Sequence, residues 1–343
     1  LFWVHDNSAL RARSFFQAGD VQPARTNEYG VDSSAPLWRG ASLAGSAQGT
    51  RLRGQVNGNV LVPTAEERTP LATDPATRDK VRRMLEAYPL ALPNRTDINE
   101  RALNTNAPQS IDNDIASGTL YQSLGERDKL TARYAFTEQN VRAFQFVGGQ
   151  NPNSNTRNHD TRLTWTRSWS PRTETFGTLG FDRTGSVLSA DPSSFGPTVL
   201  AAGVFTDLGP GSNIPIDRAV NRFRYAGSAR HTRAKHSWTL GAEVWRRQVN
   251  GLESNSNRGL FSFRNDFGND AITNIRLGLA GSYNETIGNT HRGYRQWDMQ
   301  FYAGDDWRVS PRLTLNWSVR YVPVTAPREA NGMDEIPSGC DCN

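Results

Sequence analysis

The stretch FYAGDDWRVSPRLTLNWSVRY, residues 301–321, decides the fold. From Arg312 to Tyr321, the residues Leu313, Leu315, Trp317, Val319 and Tyr321 alternate with Arg312, Thr314, Asn316, Ser318 and Arg320. Successive side chains of a strand point to opposite faces, so this spacing predicts one wholly apolar face and one wholly polar face. The run matches the roughly 9–11 residues that a tilted strand needs to cross a bilayer. Upstream, from about Gln296 to Arg308, Trp297, Met299, Phe301, Ala303 and Trp307 share a face opposite Asp298, Gln300, Gly304 and Asp306. Asp305 falls on the apolar side near the strand's end, where its charge can reach the interface. Only Val309, Ser310 and Pro311 separate the two runs. Proline has no N–H for a ladder and presets a turn, so a tight hairpin is expected.

The same unit recurs upstream. Asp160 to Trp169 places Leu163, Trp165 and Trp169 on one face and Arg162, Thr164, Thr166 and Ser168 on the other. It turns at Ser170-Pro171-Arg172, a repeat of Ser310-Pro311-Arg312, and returns through Gly177, Leu179 and Phe181. A third hairpin runs from Phe223, Tyr225 and Ala229 through a turn at residues 232–235 to Trp238, Leu240, Ala242 and Val244. A fourth turns at Gly125-Glu126-Arg127-Asp128 and continues through Leu130, Ala132, Tyr134 and Phe136. These short turns alternate with long segments rich in Gly, Asn, Ser and Pro, at about 139–157, 185–219 and 249–294. Long irregular loops are uncommon in compact soluble domains, and a soluble sandwich has turns of more even length. Membrane barrels join their strands by short turns at one end and long loops at the other.

Composition supports that reading. The 343 residues are only 36% hydrophobic, with a mean hydropathy of −0.63, yet they include 15 Phe, 9 Trp and 9 Tyr. Disordered chains are poor in aromatics. A nucleic-acid binder, or a barrel that shows lipid only every second side chain, would both need aromatics without a thick core. The net charge of +5 is carried by arginine, the lysines being only Lys80, Lys129 and Lys235. Arginine is spread along the chain among Asp and Glu, whereas a nucleic-acid binder gathers its charge into a patch. A soluble nucleic-acid-binding β protein would also purify without detergent and bind in a salt-dependent way. No run of 18 apolar residues provides a transmembrane helix, and no leader pattern opens the chain at Leu1.

The first hundred residues are less regular. Leu1 to His5 reads as the end of a strand, with weaker strands at residues 27–31 and 39–48. One helix stands out near 75–88: Asp74 can cap it, Pro75 suits its first position, and Val81, Met84, Leu85 and Tyr88 share a face. That stripe could dock a partner or pack over the chain's own loops. A second short helix is expected at residues 269–277.

Signatures of catalysis are lacking. The sequence has no Walker loop, H-E-x-x-H or G-x-S-x-G. Asp305 and Asp306 are adjacent strand residues, so their carboxylates point to opposite faces. His231 and His236 flank one turn and could pair on a metal or simply be solvated, while His5, His159 and His291 stand apart. Cys340 and Cys342 lack further ligands nearby, and a disulfide across so short a spacing is strained. Trp169, Trp238, Trp297, Trp307 and Tyr321 could stack on a substrate or form the aromatic girdle of a membrane interface. No enzyme activity, cofactor or metal is expected.

With strands and loops placed, residues 301–321 resemble the strand–turn–strand unit of TonB-dependent receptors of the Oar-like branch. HDNSALRARSFF (5–16) is similar to that branch's exit from the first barrel strand. NGNVLVPTAEERT (57–69), ALNTNAPQ (102–109) and FSFRNDFGNDAITNIRLGL (261–279) resemble its extracellular segments. The resemblance covers nearly the whole chain and rests on the order of these segments. It implies a plugged barrel of about 22 strands in the Gram-negative outer membrane, energised by TonB. A carboxypeptidase-regulatory-like domain, a plug and the TonB-contacting segment would precede residue 1, and further strands would follow Asn343. The chain is thus expected to be a fragment, an antiparallel transmembrane β-barrel of about eleven strands, near half of the whole, with long extracellular loops and one or two short loop helices.

The expected division is 1–114 for the first strands and a long helix-bearing loop, 115–323 for strand hairpins, and 324–343 for the start of a further loop. Leu313, Leu315, Trp317, Val319, Tyr321, Trp297, Met299 and Phe301 are expected to face lipid. Arg162, Arg312, Asn316 and Arg320 are expected to face the lumen. The implied partners are outer-membrane lipid, TonB through the preceding part, and an extracellular ligand, with no nucleic acid. The implied function is energised uptake; a passive structural or adhesive barrel is the alternative.

Overall fold

In the computed structural model, which describes residues 1–12, 21–252 and 254–333, one antiparallel sheet follows the chain. It opens with β1 (Phe2–Asn7), β2 (Ala24–Trp38), β3 (Ala41–Leu61), β4 (Ala102–Leu124), β5 (Asp128–Arg142), β6 (Asn153–Ser170) and β7 (Thr173–Ser189). The next loop contains the short β8 (Thr198–Leu200), after which β9 (Ile216–Arg233) and β10 (His236–Leu252) continue the sheet. Another loop contains β11 (Leu260–Ser262) and β12 (Ser282–Asn284). The sheet then closes its run with β13 (His291–Ser310), β14 (Leu313–Tyr321) and β15 (Arg328–Glu329). Each strand of the large sheet pairs with its predecessor, β15 pairs back on β13, and β12-β11-β8 form a separate small sheet. Two helices, α1 (Pro75–Glu86) and α2 (Ala271–Leu277), lie in the long loops. Among the described residues β1 and β14 are the two edges, and no helix is long and apolar enough to cross a membrane.

Short turns set the register. Only Arg39–Gly40, Pro171–Arg172, Ala234–Lys235 and Pro311–Arg312 separate their strands, and residues 125–127 form the fifth turn. Three of these hairpins carry a register shift just before the turn, at Leu37, Trp169 and Val309. Such bulges increase local twist and help a sheet to curve. With register fixed, one row of same-face residues crosses eight strands: Leu43, Leu120, Ala132, Leu163, Leu179, Tyr225, Val244 and Met299. Every member is apolar or aromatic.

The strands run further than the alternation predicts. At 18 residues, β9 spans roughly 60 Å along its axis, well beyond a bilayer core. The expected loops at 139–157, 185–219 and 249–294 therefore shrink, because the ladder continues to Arg142, Ser189 and Leu252 and resumes at Asn153, Ile216 and His291. Above the apolar band that face turns mostly polar as well, so the period-2 signal fades while the backbone hydrogen bonds continue. The division expected at residue 115 is corrected for the same reason. Residues 102–109 and 57–61, expected in extracellular segments, pair with each other from Leu61–Ala102 inward. Beyond residue 323, Val324 bridges to Asp298 and Arg328–Glu329 pairs with β13. Cys340 and Cys342 lie outside the described residues.

Candidate functional site

The polar face of the sheet carries a band of paired charges at mid-height. Asp160 on β6 meets Arg133 of β5 and Arg162 of its own strand, each at 3.3 Å. Asp182 on β7 lies 3.9 Å from Arg222 on β9. Glu243 on β10 accepts hydrogen bonds from Arg224 Nε at 2.9 Å and from the Trp245 indole N–H at 2.6 Å. The Arg224 guanidinium also lies over the Trp245 ring, 5.3 Å from its centroid. Asp298 on β13 is held by Arg247 Nε at 2.5 Å. Five arginines thus meet four carboxylates, and in each pair but that of Arg224 and Glu243 the guanidinium is clearly the more exposed partner. What this face presents to its surroundings is planar, permanently charged guanidinium, suited to carboxylate or phosphate.

At the long-loop end, four loops fold into one body. Asp74 caps α1 through the Thr77 N–H at 2.8 Å, and Pro75 starts the helix. Those backbone bonds hold the Asp74 carboxyl below its ordinary pKa. Val81, Met84 and Leu85 are buried, as is Tyr88 just beyond the helix. They pack with Phe146 and Val147 from the β5–β6 loop, Val199, Phe205 and Leu208 from the β7–β9 loop, and Phe263 and Ile275 from the β10–β13 loop. The apolar stripe of α1 therefore covers the chain's own loops. Tyr88 donates its hydroxyl to Thr206 O at 2.8 Å, and burial beside Asp207 raises its pKa, so the phenol stays neutral. Asp270 caps α2, and Gly278 ends it at φ 75°. A Cβ at Gly278 would collide with Thr77 and press on Val81, so this glycine serves both the left-handed cap and the contact between the two helices. Backbone bonds between loops complete the body, from Leu71 N to Arg276 O at 2.8 Å, Gly148 N to Ala87 O at 2.9 Å, and Thr198 N to Gly259 O at 3.0 Å.

The expected site residues divide into two groups. Leu315, Trp317, Val319 and Tyr321 register with Trp307, Asp305, Ala303 and Phe301, and Leu313 pairs with Ser310 beyond the bulge. This places them on the face of Trp297, Met299 and Phe301, which join the apolar row through β10. Arg162 lies in the charged band. Asn316 and Arg320 share the polar face with Asp306 and Tyr302. Arg312 is a correction: it sits in the turn before β14, with its N–H directed to Ser310 Oγ at 3.3 Å, because the Pro311 turn ends one residue later than expected. Trp297 keeps its expected face, at the upper edge of the apolar band, but lies well inside β13, since that strand begins at His291 and not near Gln296.

His231 and His236 stack on Trp238, at 6.0 and 5.3 Å, and their Nδ1 atoms engage Thr173 and Asp305 respectively. Among the described residues no group of three His, Cys, Asp or Glu is placed to hold a metal ion. Asp305 and Asp306 diverge as expected, toward His236 and Arg230. Sequence reasoning places Asp298 on the polar face and Asp160 at a strand start without marking either as a site residue, and it passes over Asp182, Arg222, Arg224, Glu243, Trp245 and Arg247. Their parity opposite Leu163, Phe223, Val244 and Trp297 would have found them.

A family model described as an outer membrane beta barrel domain matches residues 1–335. No curated protein matches the chain. Among solved structures, the outer membrane transporter YddB from Escherichia coli is similar at 10% identity and a TM-score of 0.48, covering 90% of this chain and 35% of that one. FpvA of P. aeruginosa, solved bound to heterologous pyoverdines, is similar at 10% identity and a TM-score of 0.48, covering 89% of this chain and 36% of that one. The chain thus spans about a third of the length of those two structures.

Proposed function

The chain belongs to the outer membrane beta barrel domain family, and on that premise we propose that it forms part of the wall and the extracellular cap of an energised, TonB-dependent uptake receptor. In this reading the apolar row, with Leu313, Leu315, Trp317, Val319, Tyr321, Trp297, Met299 and Phe301, meets lipid. The charged band, with Arg162, Asn316 and Arg320, lines the lumen. The chain acts as a binding and conducting wall and not as a catalyst.

The observation that carries the reading is the common core of the four long loops, built around Leu85, Phe205, Leu208 and Ile275. A wall that only encloses solvent gains nothing from ordering so much chain at one end. Loops already ordered lose little entropy when a ligand binds, so the cap can capture a solute at low cost. The guanidinium-rich face beneath it supplies a path for anionic or hydrogen-bonding solutes.

The test compares cells that make the full-length protein with and without TonB. Labelled ferric siderophores, oligosaccharides and short peptides are offered in turn. At least one class should bind in both backgrounds but accumulate only when TonB is present. Accumulation that ignores TonB would favour a passive barrel, and surface attachment with no accumulation of any class would favour an adhesin.

A further inference from the structure

Above the apolar band, the same outward face changes character. The row Trp3, Tyr29, Gly49 crosses β1–β3 and gives the band an aromatic upper margin. Four residues up β2 lies a row of arginines: Arg25 on β2, Arg53 on β3 and Arg142 on β5, with Ser110 of β4 between the last two. At roughly 3.3 Å per residue on a strand tilted by about 40°, this row stands on the order of 10 Å above the aromatic margin.

The charges in this region do not cancel. In the two rows beneath, Arg51 pairs with Asp114 at 2.7 Å and Arg157 with Glu138 at 2.7 Å, while Asp112 is claimed by Arg53 at 2.5 Å. Within β1–β6 these three rows hold five arginines and three carboxylates. Arg25 and Arg142 are exposed, and among the described residues neither side chain makes a hydrogen bond or a close ion pair, although Arg142 stands near enough to Asp112 to interact with its charge. Two open clefts meet at Arg53. One, of about 610 Å³, is lined by Arg25 and by Arg11, which is itself paired with Asp6. The other, of about 480 Å³, is lined by Arg142, Asn140 and Asn155.

The geometry points to a binding site on the outside of the barrel for a phosphorylated lipid headgroup of the outer leaflet, seated in these clefts across Arg25, Arg53 and Arg142. Guanidinium forks match phosphate oxygens, and the asparagines and Ser110 can donate to a sugar or phosphate. The height of the row requires a large headgroup whose phosphates stand above the acyl boundary. Lipid is the source because the row continues the face that meets the membrane, and in this the inference rests on the lipid-facing assignment above.

Native mass spectrometry of the full-length protein in detergent tests this, with three lipids: a diglucosamine lipid bearing two phosphates, the same lipid dephosphorylated, and zwitterionic phosphatidylcholine. The phosphorylated lipid should be retained several-fold more than its dephosphorylated form, since each arginine near an anionic surface is worth roughly fivefold. Arg25→Gln/Arg142→Gln should abolish that preference while leaving phosphatidylcholine adducts unchanged. Both residues are exposed and make no hydrogen bond or close ion pair among the described residues, so the variant keeps its fold. Equal retention of the two diglucosamine lipids, or a preference that survives the double variant, overturns the proposal. Full displacement by inorganic phosphate overturns it too, by showing a free-anion site. Absence of adducts with any lipid defeats the lipid-facing assignment, and this site with it.

Discussion

His236 and Asp305 share a 2.6 Å hydrogen bond on the face that otherwise carries the apolar row. The imidazole Nδ1–H donates to one carboxylate oxygen, and the Ser237 N–H donates to the other at 3.1 Å. Trp238 and Trp307 both stack on the imidazole, at 5.3 and 5.5 Å. Asp305 is left only 5% exposed. A carboxylate on the apolar face is thus sheltered by the neighbouring strand β10 and by Trp307 at the level of the short turns.

Breaking this pair is expected to be costly. Asp305→Leu leaves a polar imidazole without its partner, at about 1–3 kcal/mol. Asp305→Leu/His236→Leu removes both polar groups and should recover most of that loss. Urea unfolding in detergent, followed by tryptophan fluorescence, compares the two variants with the unsubstituted protein. A double variant as unstable as the single one would show that stacking, not the hydrogen bond, holds the corner.

The loop core should fail separately from the sheet. Leu85 is buried among side chains from three other loops, so Leu85→Ala is expected to cost about 2–5 kcal/mol of local stability. Because local units open independently, the cap should become protease-sensitive while the strands stay protected. Hydrogen exchange resolved by segment would show faster exchange in residues 62–101 and unchanged protection in β9 and β10. Uniform loss of protection would show that cap and sheet unfold together.

Acid should loosen the same cap at a definite place. Glu67 and Arg101 are joined by a fork, with Nη2–Oε1 at 2.6 Å and Nε–Oε2 at 3.2 Å, and Thr64 N–H adds a bond at 2.9 Å. Burial alone would raise the Glu67 carboxyl, but the Arg101 and Thr64 hydrogen bonds outweigh it, and its pKa falls below the ordinary value. The folded-state value is the lower one, so the stabilisation is complete above the unfolded value of about 4.3 and is lost as pH drops through the folded value. Exchange protection around residues 62–69 should therefore decline below about pH 4. Arg101→Met should remove that pH dependence.

On the polar face the expected effect is on selectivity. Glu243→Gln keeps the shape but frees the Arg224 charge beside Trp245. Both side chains are partly exposed, so stability should change by no more than about 1 kcal/mol. In the full-length protein reconstituted into a planar bilayer, any conductance should shift toward anions. An unchanged anion preference would remove this face from the conducting path.

How much of this was legible in the sequence depended on whether the two faces of a strand differ. At Leu313–Tyr321 they differ at every step, and hairpin, register parity and turn were all readable. Along β2 and β3 the apolar face is built from Val31, Ala35, Leu43 and Ala47 with Ser33, Gly45 and Gly49 between them, a pattern too small and mixed to register as a strong strand. Gly49 lies directly opposite Tyr29, whose ring occupies the space a Cβ would need, a pairing that only the structure reveals. Above the band, Asn153 to Asn158 and Asn57 to Asn59 are polar on both faces, so only the ladder identifies them as strands. The helix α1 was readable from Asp74, Pro75 and its stripe, but its partners Phe205 and Ile275 lie more than a hundred residues away, and no local pattern encodes that contact. The charged band follows the same rule, since Arg224 meets Glu243 only across β9 and β10, and Arg247 meets Asp298 only across β10 and β13.

The central claim is that the face bearing Leu313, Leu315, Trp317, Val319 and Tyr321 meets lipid. Its most direct test is a nitroxide scan of residues 313–321 in the full-length protein in bilayers, with Cys340 and Cys342 replaced. Collision with oxygen, which concentrates in lipid, is compared with collision with a water-soluble nickel chelate. Oxygen access should peak at 313, 315, 317, 319 and 321, and nickel access at 314, 316, 318 and 320. The opposite phase, or access to nickel at every position, would contradict the account.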